Sequence, residues 1–550
     1  MYLQKLSKLA LYTVAGSTIL PSVGCSSKKT EEKKPLNIIY IMSDDHTSQA
    51  IGVYNSRLAS LNPTPNIDAL AKEGVIFDNV FCNNSISTPS RASIMTGQYS
   101  HMNGILTLDE KITEDQQYLA QEMKALGYST AMVGKWHLGC EPSAFDFYKV
   151  FTTHGGQGTY FDPLFASCDV KGKEFPYNTE KINGYCSDIV TDISLDWLQN
   201  RRDKTKPFFL MHHYKAPHDD FEFAPRYKDY LADIDIPVPA TLMNREGFGS
   251  EGTRGKNNSL DYLLGTSISE RNTYRNYVQM YKIDSGDKDK NTLLAYNEYL
   301  KRYLRCVKGV DDNLKRLFDY LKANDLWENT VIVYTGDQGM MLGEHDLQDK
   351  RWMYDECLRM PYIMRVPGTV ATKGEHNDMM ISNIDFAPTL LALAGRKETP
   401  AYMQGRSFSR VFDGETIPDW RDAIYYRYWM HMIHHNVPAH FGIRTKDYKL
   451  IFFYGRHYDV NRKERYAMWW LKEGESATID PTPASFELYD MKNDPTESKN
   501  LANDPAYKEV LEEMKVKLLD LRKKIGDNDV LHYEIQDVID EHFGTKTIRL

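Results

Sequence analysis

The stretch Leu36-Asn37-Ile38-Ile39-Tyr40-Ile41-Met42-Ser43-Asp44-Asp45-His46 joins a continuous apolar run to a polar cluster. An unbroken apolar run of this length is typical of a parallel strand that is buried on both faces of a sheet. Two aspartates directly after a strand are common as turn or helix-capping residues, and they can equally serve as ligands at the edge of a sheet. The rest of the chain decides between these interpretations.

Three further apolar runs also lead into polar residues. They are residues 128–133 before Gly134-Lys135-Trp136-His137-Leu138-Gly139, residues 207–211 before His212-His213-Tyr214-Lys215-Ala216-Pro217-His218, and residues 331–334 before Thr335-Gly336-Asp337-Gln338-Gly339. Helical spacing of apolar residues recurs between these runs, for example from Tyr303 to Leu321. The alternation predicts an α/β fold with a mostly parallel sheet and helices on both faces.

Each polar cluster has a simpler explanation when it is taken alone. A solvated loop, a tight turn or an exposed imidazole would account for it. In open α/β sheets, however, ligands bind outside the carboxyl ends of the strands. Four clusters at matching positions therefore favour one shared functional site.

The run Ser87-Thr88-Pro89-Ser90-Arg91 predicts a helix start, because Pro89 suits a first turn and Gly97 is a stop signal ten residues after Ser87. Backbone N–H groups at a helix N-terminus stabilise negative charge. Arg91, one turn into the helix, adds a cation. This segment is therefore suited to processing an anion.

Length and charge narrow the class of protein. A chain of 550 residues can bury a large core in one large domain or in two to three smaller ones. The formal net charge of -9, without a basic run, argues against a nucleic-acid partner. Beyond Cys25 the cysteines are scattered with no CxxC pair, so they indicate neither a metal knuckle nor a dense disulfide framework.

Residues 1–34 predict an export signal and a tether. Lys5 and Lys8 precede an apolar stretch that is too short to span a bilayer, and Gly24-Cys25 is followed by a polar segment. The pattern resembles a bacterial lipoprotein signal with Cys25 as the lipidated residue, and an ordinary secretory signal is the alternative. We expect an exported periplasmic or outer-membrane-anchored lipoprotein that meets the membrane only through its N-terminal lipid.

The pattern changes beyond about residue 400. Residues 422–428 and 448–453 read as antiparallel strands, and a helix follows Asp504. We therefore predict a catalytic domain at residues 35–410 and a smaller α+β subdomain at 411–550 with a small antiparallel sheet and a helix. The histidine-rich segment that includes His435 and His440 is either a surface loop or a wall of the substrate pocket.

Several motifs together resemble the formylglycine-dependent type I sulfatases, and the resemblance extends from about residue 35 into the C-terminal region. The motifs are Ser87 to Arg91 with Thr96-Gly97, residues 134–139, Lys215-Ala216-Pro217-His218, Gly336-Asp337-Gln338-Gly339 with Gly343-Glu344-His345, Thr64-Pro65-Asn66-Ile67-Asp68 and Asp385-Phe386-Ala387-Pro388-Thr389-Leu390. The resemblance implies the alkaline-phosphatase-like fold and the hydrolysis of sulfate esters.

The resemblance also implies roles for individual residues. Ser87 would be oxidised after translation to formylglycine (3-oxoalanine), whose hydrate is the nucleophile. Serine at this position, where many relatives have cysteine, implies an anaerobic sulfatase-maturating enzyme as a partner. The implied catalytic set is Ser87, Arg91, Lys135, His137, His218 and Lys350. The implied ligands of one Ca²⁺ are Asp44, Asp45, Asp337, Gln338 and the modified Ser87, and oxygen donors of this kind suit Ca²⁺ or Mg²⁺ better than zinc.

The substrate implied by the resemblance is a sulfated mono- or oligosaccharide. The run Lys215-Ala216-Pro217-His218 and the segment His435-Asn436-Val437-Pro438-Ala439-His440 look like those of bacterial exo-sulfatases similar to N-acetylglucosamine-6-sulfatases, which implies N-acetylglucosamine-6-O-sulfatase activity in heparan sulfate or heparin degradation. Substrate-binding candidates are Lys215, Arg351, His435 and His440. The alternatives are a galactosamine or uronate O-sulfatase of chondroitin or mucin glycans, a catalytically silent glycan-binding relative, and a two-zinc alkaline phosphatase.

Overall fold

A computed structural model describes residues 34–547 of the protein, except residues 256, 258–261, 271 and 460–478. The predicted leader and its Cys25 therefore lie outside the described residues. Within the described part, no helix combines the length and the apolar character needed to cross a membrane. The six cysteines in the same part are all free thiols.

The strands form a large sheet, a small ribbon and a separate C-terminal sheet. In chain order they are β1 Asn37–Ser43, β2 Val75–Phe81, β3 Ser129–Gly134, β4 Phe147–Phe151, β5 Leu164–Ser167, β6 Thr179–Lys181, β7 Phe208–Tyr214, β8 Thr330–Gly336, β9 Met341–Leu342, β10 Gln348–Asp349, β11 Tyr362–Arg365, β12 His376–Ser382, β13 Ala423–Tyr428, β14 His440–Thr445, β15 Tyr448–Phe453 and β16 Ser485–Asp490.

The large sheet has ten strands in the order β12-β2-β11-β8-β1-β7-β3-β4-β5-β6. The block β8-β1-β7-β3-β4 is parallel throughout. β11 is antiparallel to both of its neighbours, and β5 and β6 extend the other side as antiparallel strands. The predicted α/β fold with a mostly parallel sheet is confirmed, and the antiparallel strands on both sides are additions that the sequence patterns did not indicate.

The strands of the parallel block are hydrophobic because both faces of the sheet are covered. Every residue of β1, β3, β7 and β8 is buried. At the end of β3, Gly134 has a φ of +98°, and a Cβ atom there would lie 1.8 Å from the carbonyl oxygen of His213. Only glycine fits this position, so the loop that follows β3 leaves the sheet in a fixed direction.

The helices cover the sheet and close the C-terminal part. They are α1 Pro65–Lys72, α2 Ser87–Thr96, α3 Ser100–Asn103, α4 Tyr118–Ala125, α5 Thr153–Gly156, α6 Cys186–Asp196, α7 Glu251–Arg254, α8 Asn272–Tyr281, α9 Lys288–Ala323, α10 Asp355–Leu358, α11 Phe386–Leu393, α12 Lys508–Ile525 and α13 Tyr533–Phe543. Apolar residues of α1, α6 and α9 pack on one face of the sheet, and those of α2, α4 and α11 pack on the other.

Helix α2 carries Ser87, the first residue of the predicted anion-processing segment, at its N-terminus. All ten of its residues are buried, with Ser87 in the first position and Pro89 in the first turn. Gly97 follows with a φ of +66°, and its N–H donates to the carbonyl of Ser93 at 2.9 Å. The predicted proline start and glycine stop are both present.

The C-terminal sheet is antiparallel, in the order β13-β14-β15-β16. One face packs against α12 and α13 through residues such as Phe441, Leu518 and Ile535. The other face contributes Tyr426, Tyr428 and Ile451 to the large hydrophobic core that also contains Trp352 and Tyr354. The small antiparallel subdomain sheet is therefore present, while the boundary at residue 410 stays a prediction.

Candidate active site

The four polar clusters lie together at the carboxyl edge of the parallel block. The last residue of β1, Ser43, is in register with Gly336 of β8 and Tyr214 of β7. Gly134 of β3 is in register with His213. The four strands therefore end at one level, and the residues that follow them project into one region of the protein.

Three buried carboxylates form the floor of this region. Asp44, Asp45 and Asp337 each place an oxygen within 4.8 Å of the others. Beside them, the Oε1 atom of Gln338 is buried and has no hydrogen-bond partner among the described residues, while its Nε2 donates to Asp45. A set of oxygen donors with an unpaired buried amide oxygen fits a hard divalent cation.

Ser87 and Arg91 face the carboxylates from α2. The Ser87 hydroxyl donates to Asp44 Oδ1 at 3.1 Å, and the residue is buried. The Arg91 guanidinium donates twice to Asp337 Oδ2, at 3.0 and 3.1 Å, and to the carbonyl of Lys135 at 2.6 Å. One face of α2 thus presents a hydroxyl and a fixed cation to the same site.

The loop after β3 supplies two more polar side chains. Lys135 contacts the Asp44 carboxylate and donates to Gln157 Oε1 at 2.5 Å. The Nδ1 atom of His137 lies 3.5 Å from the Thr88 hydroxyl. Thr88 and Gln157 are contacts that the sequence analysis missed, although the run Gly155-Gly156-Gln157-Gly158 was a visible signal of a tight backbone approach.

His218 and Lys350 approach the carboxylates from the loops after β7 and β10. Lys350 Nζ lies 2.5 Å from Asp45 Oδ2, and His218 Nε2 lies 3.7 Å from the same oxygen. His218 Nδ1 lies 2.6 Å from Asp219. Asp45, His218 and Asp219 form a second cluster that could hold a cation.

Burial and neighbouring charges control protonation at the site. Burial and the nearby Asp44 raise the pKa of Asp337 to about 6. Burial alone would raise the pKa of Asp44, but Lys135 and other cations hold it well below its usual range. Burial, assisted by the Lys135 and Arg91 cations, lowers the pKa of His137 well below its usual range. His137 is therefore neutral at neutral pH and can accept a proton.

A cavity of about 530 Å³ opens beside these residues. Its lining includes Asp219, Phe221, Tyr277, Tyr299, Arg302, Asp349 and His435. Asp349 forms an ion pair with Arg351 and lies 3.7 Å from His435 Nε2. Arg351 and His435, two of the predicted substrate-binding residues, thus lie together around Asp349, which the sequence analysis missed.

The structure does not bring His440 to this cavity. His440 is fully buried beside Phe453 and Trp352, with ring centroids 4.7 and 6.2 Å away. Its Nδ1 lies 2.8 Å from the carbonyl of Pro438, and burial lowers its pKa to about 3. A histidine in this position is a neutral packing residue, because burial away from water strongly disfavours its charged form.

Lys215, another predicted substrate-binding residue, is also buried. Its Nζ lies 5.0 Å from the ring centre of Tyr160, whose hydroxyl donates to the carbonyl of His218. Lys215 is therefore linked to the His218 loop through Tyr160, and it is not among the residues that line the cavity.

The fold and the arrangement of these side chains define a hydrolase with alkaline-phosphatase-like architecture. A sequence model of the family described as Sulfatase matches residues 36–396, and one described as N-sulphoglucosamine sulphohydrolase, C-terminal, matches residues 343–473. The chain belongs to the sulfatase family, and it is a sulfuric ester hydrolase. Enzymes of this family generally use a formylglycine and a metal ion.

Individual relatives cover almost the whole chain. An N-acetylglucosamine-6-O-sulfatase from Bacteroides thetaiotaomicron is 36% identical over 543 residues, which span 93% of this chain and 90% of the relative. The human N-acetylglucosamine-6-sulfatase is 24% identical over 71% of this chain and 67% of its own length.

A solved structure described as a complex with its substrate D-glucosamine-2-N,6-O-disulfate is also similar. It superimposes with a TM-score of 0.75 at 36% identity, over 90% of this chain and 99% of the other. The phosphonate monoester hydrolase of Agrobacterium radiobacter, with a TM-score of 0.64 at 20% identity, shares the fold.

Proposed function

We propose that the protein hydrolyses the 6-O-sulfate ester of N-acetylglucosamine in saccharides derived from heparan sulfate or heparin. The reaction consumes water and releases sulfate and the sugar alcohol. The chemistry is supported by one observation above all, the placement of Ser87 within 3.1 Å of Asp44 and beside Arg91 and Lys135. The sugar is supported by the Bacteroides relative.

We further propose that Asp44, Asp45, Asp337 and Gln338, together with a formylglycine formed from Ser87, hold one Ca²⁺. The formylglycine hydrate would supply the nucleophilic oxygen, and the cation would offset the negative charge of the ester. The unpaired Oε1 of Gln338, and the burial and neighbouring Asp44 carboxylate that raise the pKa of Asp337, support a cation at this point.

The surrounding side chains have the remaining catalytic roles. Arg91 and Lys135 hold the nucleophile and the sulfate oxygens, because buried hydrogen bonds fix Arg91 to the Lys135 carbonyl and Lys135 to Asp44. His137 would accept a proton at Nε2 in the tautomer whose protonated Nδ1 faces the Thr88 hydroxyl, 3.5 Å away. His218 and Lys350, on the opposite side, clamp the ester, and they protonate the departing sugar oxygen.

The cluster of Asp349, Arg351 and His435 is proposed to bind the sugar. A carboxylate and a guanidinium side by side can accept from one hydroxyl and donate to a neighbouring one, as a pyranose ring requires. The cluster borders both the cavity and Lys350, so a sugar held there places its ester at the catalytic residues.

We also propose that the protein is exported and that Ser87 is matured after translation. The leader pattern supports an exported lipoprotein, periplasmic or anchored in the outer membrane through a lipid on Cys25. The serine at position 87 supports maturation by an anaerobic sulfatase-maturating enzyme. A palmitate-labelling experiment on cells that express the full chain, compared with a Cys25→Ala variant, tests the lipid anchor.

The reaction itself is tested by sulfate release from a panel of defined saccharides. We expect turnover of N-acetylglucosamine 6-sulfate, with far slower turnover of galactosamine and uronate sulfates. Ser87→Ala should abolish turnover, and Ser93→Ala, which removes a buried hydroxyl from the same helix, should leave most of it. Normal turnover by protein that mass spectrometry shows to carry an unmodified Ser87 would contradict the mechanism.

A further inference from the structure

Tyr426 of the C-terminal sheet reaches between two catalytic segments. Its side chain is fully buried, and its hydroxyl donates to the carbonyl of Arg351 at 2.8 Å. The same hydroxyl lies 2.5 Å from the Ser85 hydroxyl. Ser85 precedes the predicted nucleophile Ser87 by two residues, and Arg351 directly follows Lys350. One phenol group therefore joins the two segments that carry opposite ends of the reaction.

Ser85 makes further contacts across the same gap. The N–H of Arg351 donates to the Ser85 carbonyl at 3.1 Å. The Ser85 hydroxyl also lies 3.2 Å from the carbonyl of Trp352, so it can donate either there or to Tyr426. All of these groups are buried, where hydrogen bonds are strong and an unpaired polar group is costly.

The backbone at Arg351 needs such restraint. Arg351 has a φ of +88°, a backbone conformation that residues other than glycine rarely adopt. A residue in this region persists only where its surroundings hold it. Here both backbone polar groups of Arg351 are held, the N–H by Ser85 and the carbonyl by Tyr426.

We propose that Tyr426 is a positioning residue for the sulfatase reaction. It fixes the segment of Lys350 against the segment of Ser87, and it thereby aligns Lys350, one of the two groups that clamp the ester and serve the departing sugar oxygen, with the nucleophile. The proposal rests on the role of Lys350 given under the proposed function. A displacement of about 1 Å between catalytic groups can lower a rate by about 100-fold, so a single lost hydroxyl can have a measurable effect.

The neighbouring Tyr425 provides a matched control. It is buried on the same strand, but its hydroxyl donates to Asp527 in the C-terminal part of the chain. Tyr425→Phe and Tyr426→Phe therefore remove the same atom from adjacent residues, and only one of them faces the catalytic segments. Any general weakening of the C-terminal sheet should appear in both variants.

The test is a double-mutant cycle on the full-length matured enzyme, with formylglycine content measured by mass spectrometry for every variant. For N-acetylglucosamine 6-sulfate, Tyr426→Phe should lower kcat by about 10- to 100-fold with KM nearly unchanged. Ser85→Ala should have a similar effect, and Tyr425→Phe should change kcat by less than about threefold. In a Lys350→Ala background, adding Tyr426→Phe should lower kcat by less than about a further threefold, because the tyrosine acts through Lys350.

If the kcat losses of Tyr426→Phe and Lys350→Ala multiply fully in the double variant, the proposal is overturned, since the tyrosine would then act independently of Lys350. Unchanged kcat in both Tyr426→Phe and Ser85→Ala would also overturn it. If Lys350→Ala alone keeps normal kcat, the role of Lys350 in the proposed function fails, and that result is recognisable without the cycle.

Discussion

Acid should destabilise the protein through buried neutral histidines, and His212 on β7 allows the size of the effect to be calculated. His212 is fully buried, its Nδ1 lies 2.7 Å from the Ser194 hydroxyl, and burial lowers its pKa from 6.5 to about 3. Because the folded pKa lies below the unfolded one, the stability from this group is present above pH 6.5 and is lost as the pH falls towards 3.

The two pKa values give the magnitude. Between pH 7 and pH 5 the unfolded chain gains nearly one proton at His212 that the folded protein excludes, which costs about 2 kcal/mol. His212→Asn keeps a partner for Ser194 and removes the titration. The variant should therefore lose about 2 kcal/mol less than the parent between pH 7 and pH 5, as measured by urea denaturation at both pH values.

An exposed histidine provides the control for this experiment. His154 lies in a left-handed backbone conformation that asparagine tolerates, so His154→Asn should leave the acid sensitivity unchanged. Identical pH dependence of the parent and His212→Asn would show that His212 is charged or solvated in the folded protein, and it would refute the reasoning.

Three further predictions concern the site. Arg91→Lys keeps the charge but loses the pair of guanidinium hydrogen bonds that converge on Asp337 Oδ2, so kcat/KM should fall by about 100-fold at equal formylglycine content, as measured by sulfate release. Gly134→Ala should lower stability by about 2–5 kcal/mol, seen as a fall in Tm of about 2–4 °C, because a Cβ would collide with the His213 carbonyl, and a Tm within about 0.5 °C of the parent, about 0.6 kcal/mol for a chain of this size, would contradict this. Asp349→Asn should raise KM for the sugar sulfate about tenfold with little change in kcat, and an unchanged KM would remove Asp349 from the sugar site.

Much of the sheet and of the catalytic edge was predictable from the sequence. The buried parallel strands appear in the sequence as apolar runs, and each run is bounded by polar residues. Helix α2 was predictable from a proline and a glycine at the expected spacing. These signals are local, and the carboxyl-edge rule for α/β sheets turns them into a statement about where distant residues meet.

The parts that escaped prediction depend on long-range packing. β11 follows a short loop and pairs antiparallel with β2 and β8. The direction of this pairing is not encoded in its four residues. His440 lies in a histidine-rich segment, yet aromatic residues from three distant segments enclose it. Asp349 and Tyr426 acquire their places only when the C-terminal sheet packs under the catalytic loops, which no local pattern shows.

The two edges of the ten-stranded sheet have a consequence for behaviour in crowded surroundings. At one edge, β6 is only three residues long, Thr179–Lys181, and carries a glutamate and a lysine. At the other edge, β12 begins with exposed polar residues, and its pairing with β2 shifts register between Asn377 and Met380. Short, charged or irregular edges are poor templates for strand addition. The sheet is thereby protected against edge-to-edge aggregation, even where many copies of the enzyme lie close together.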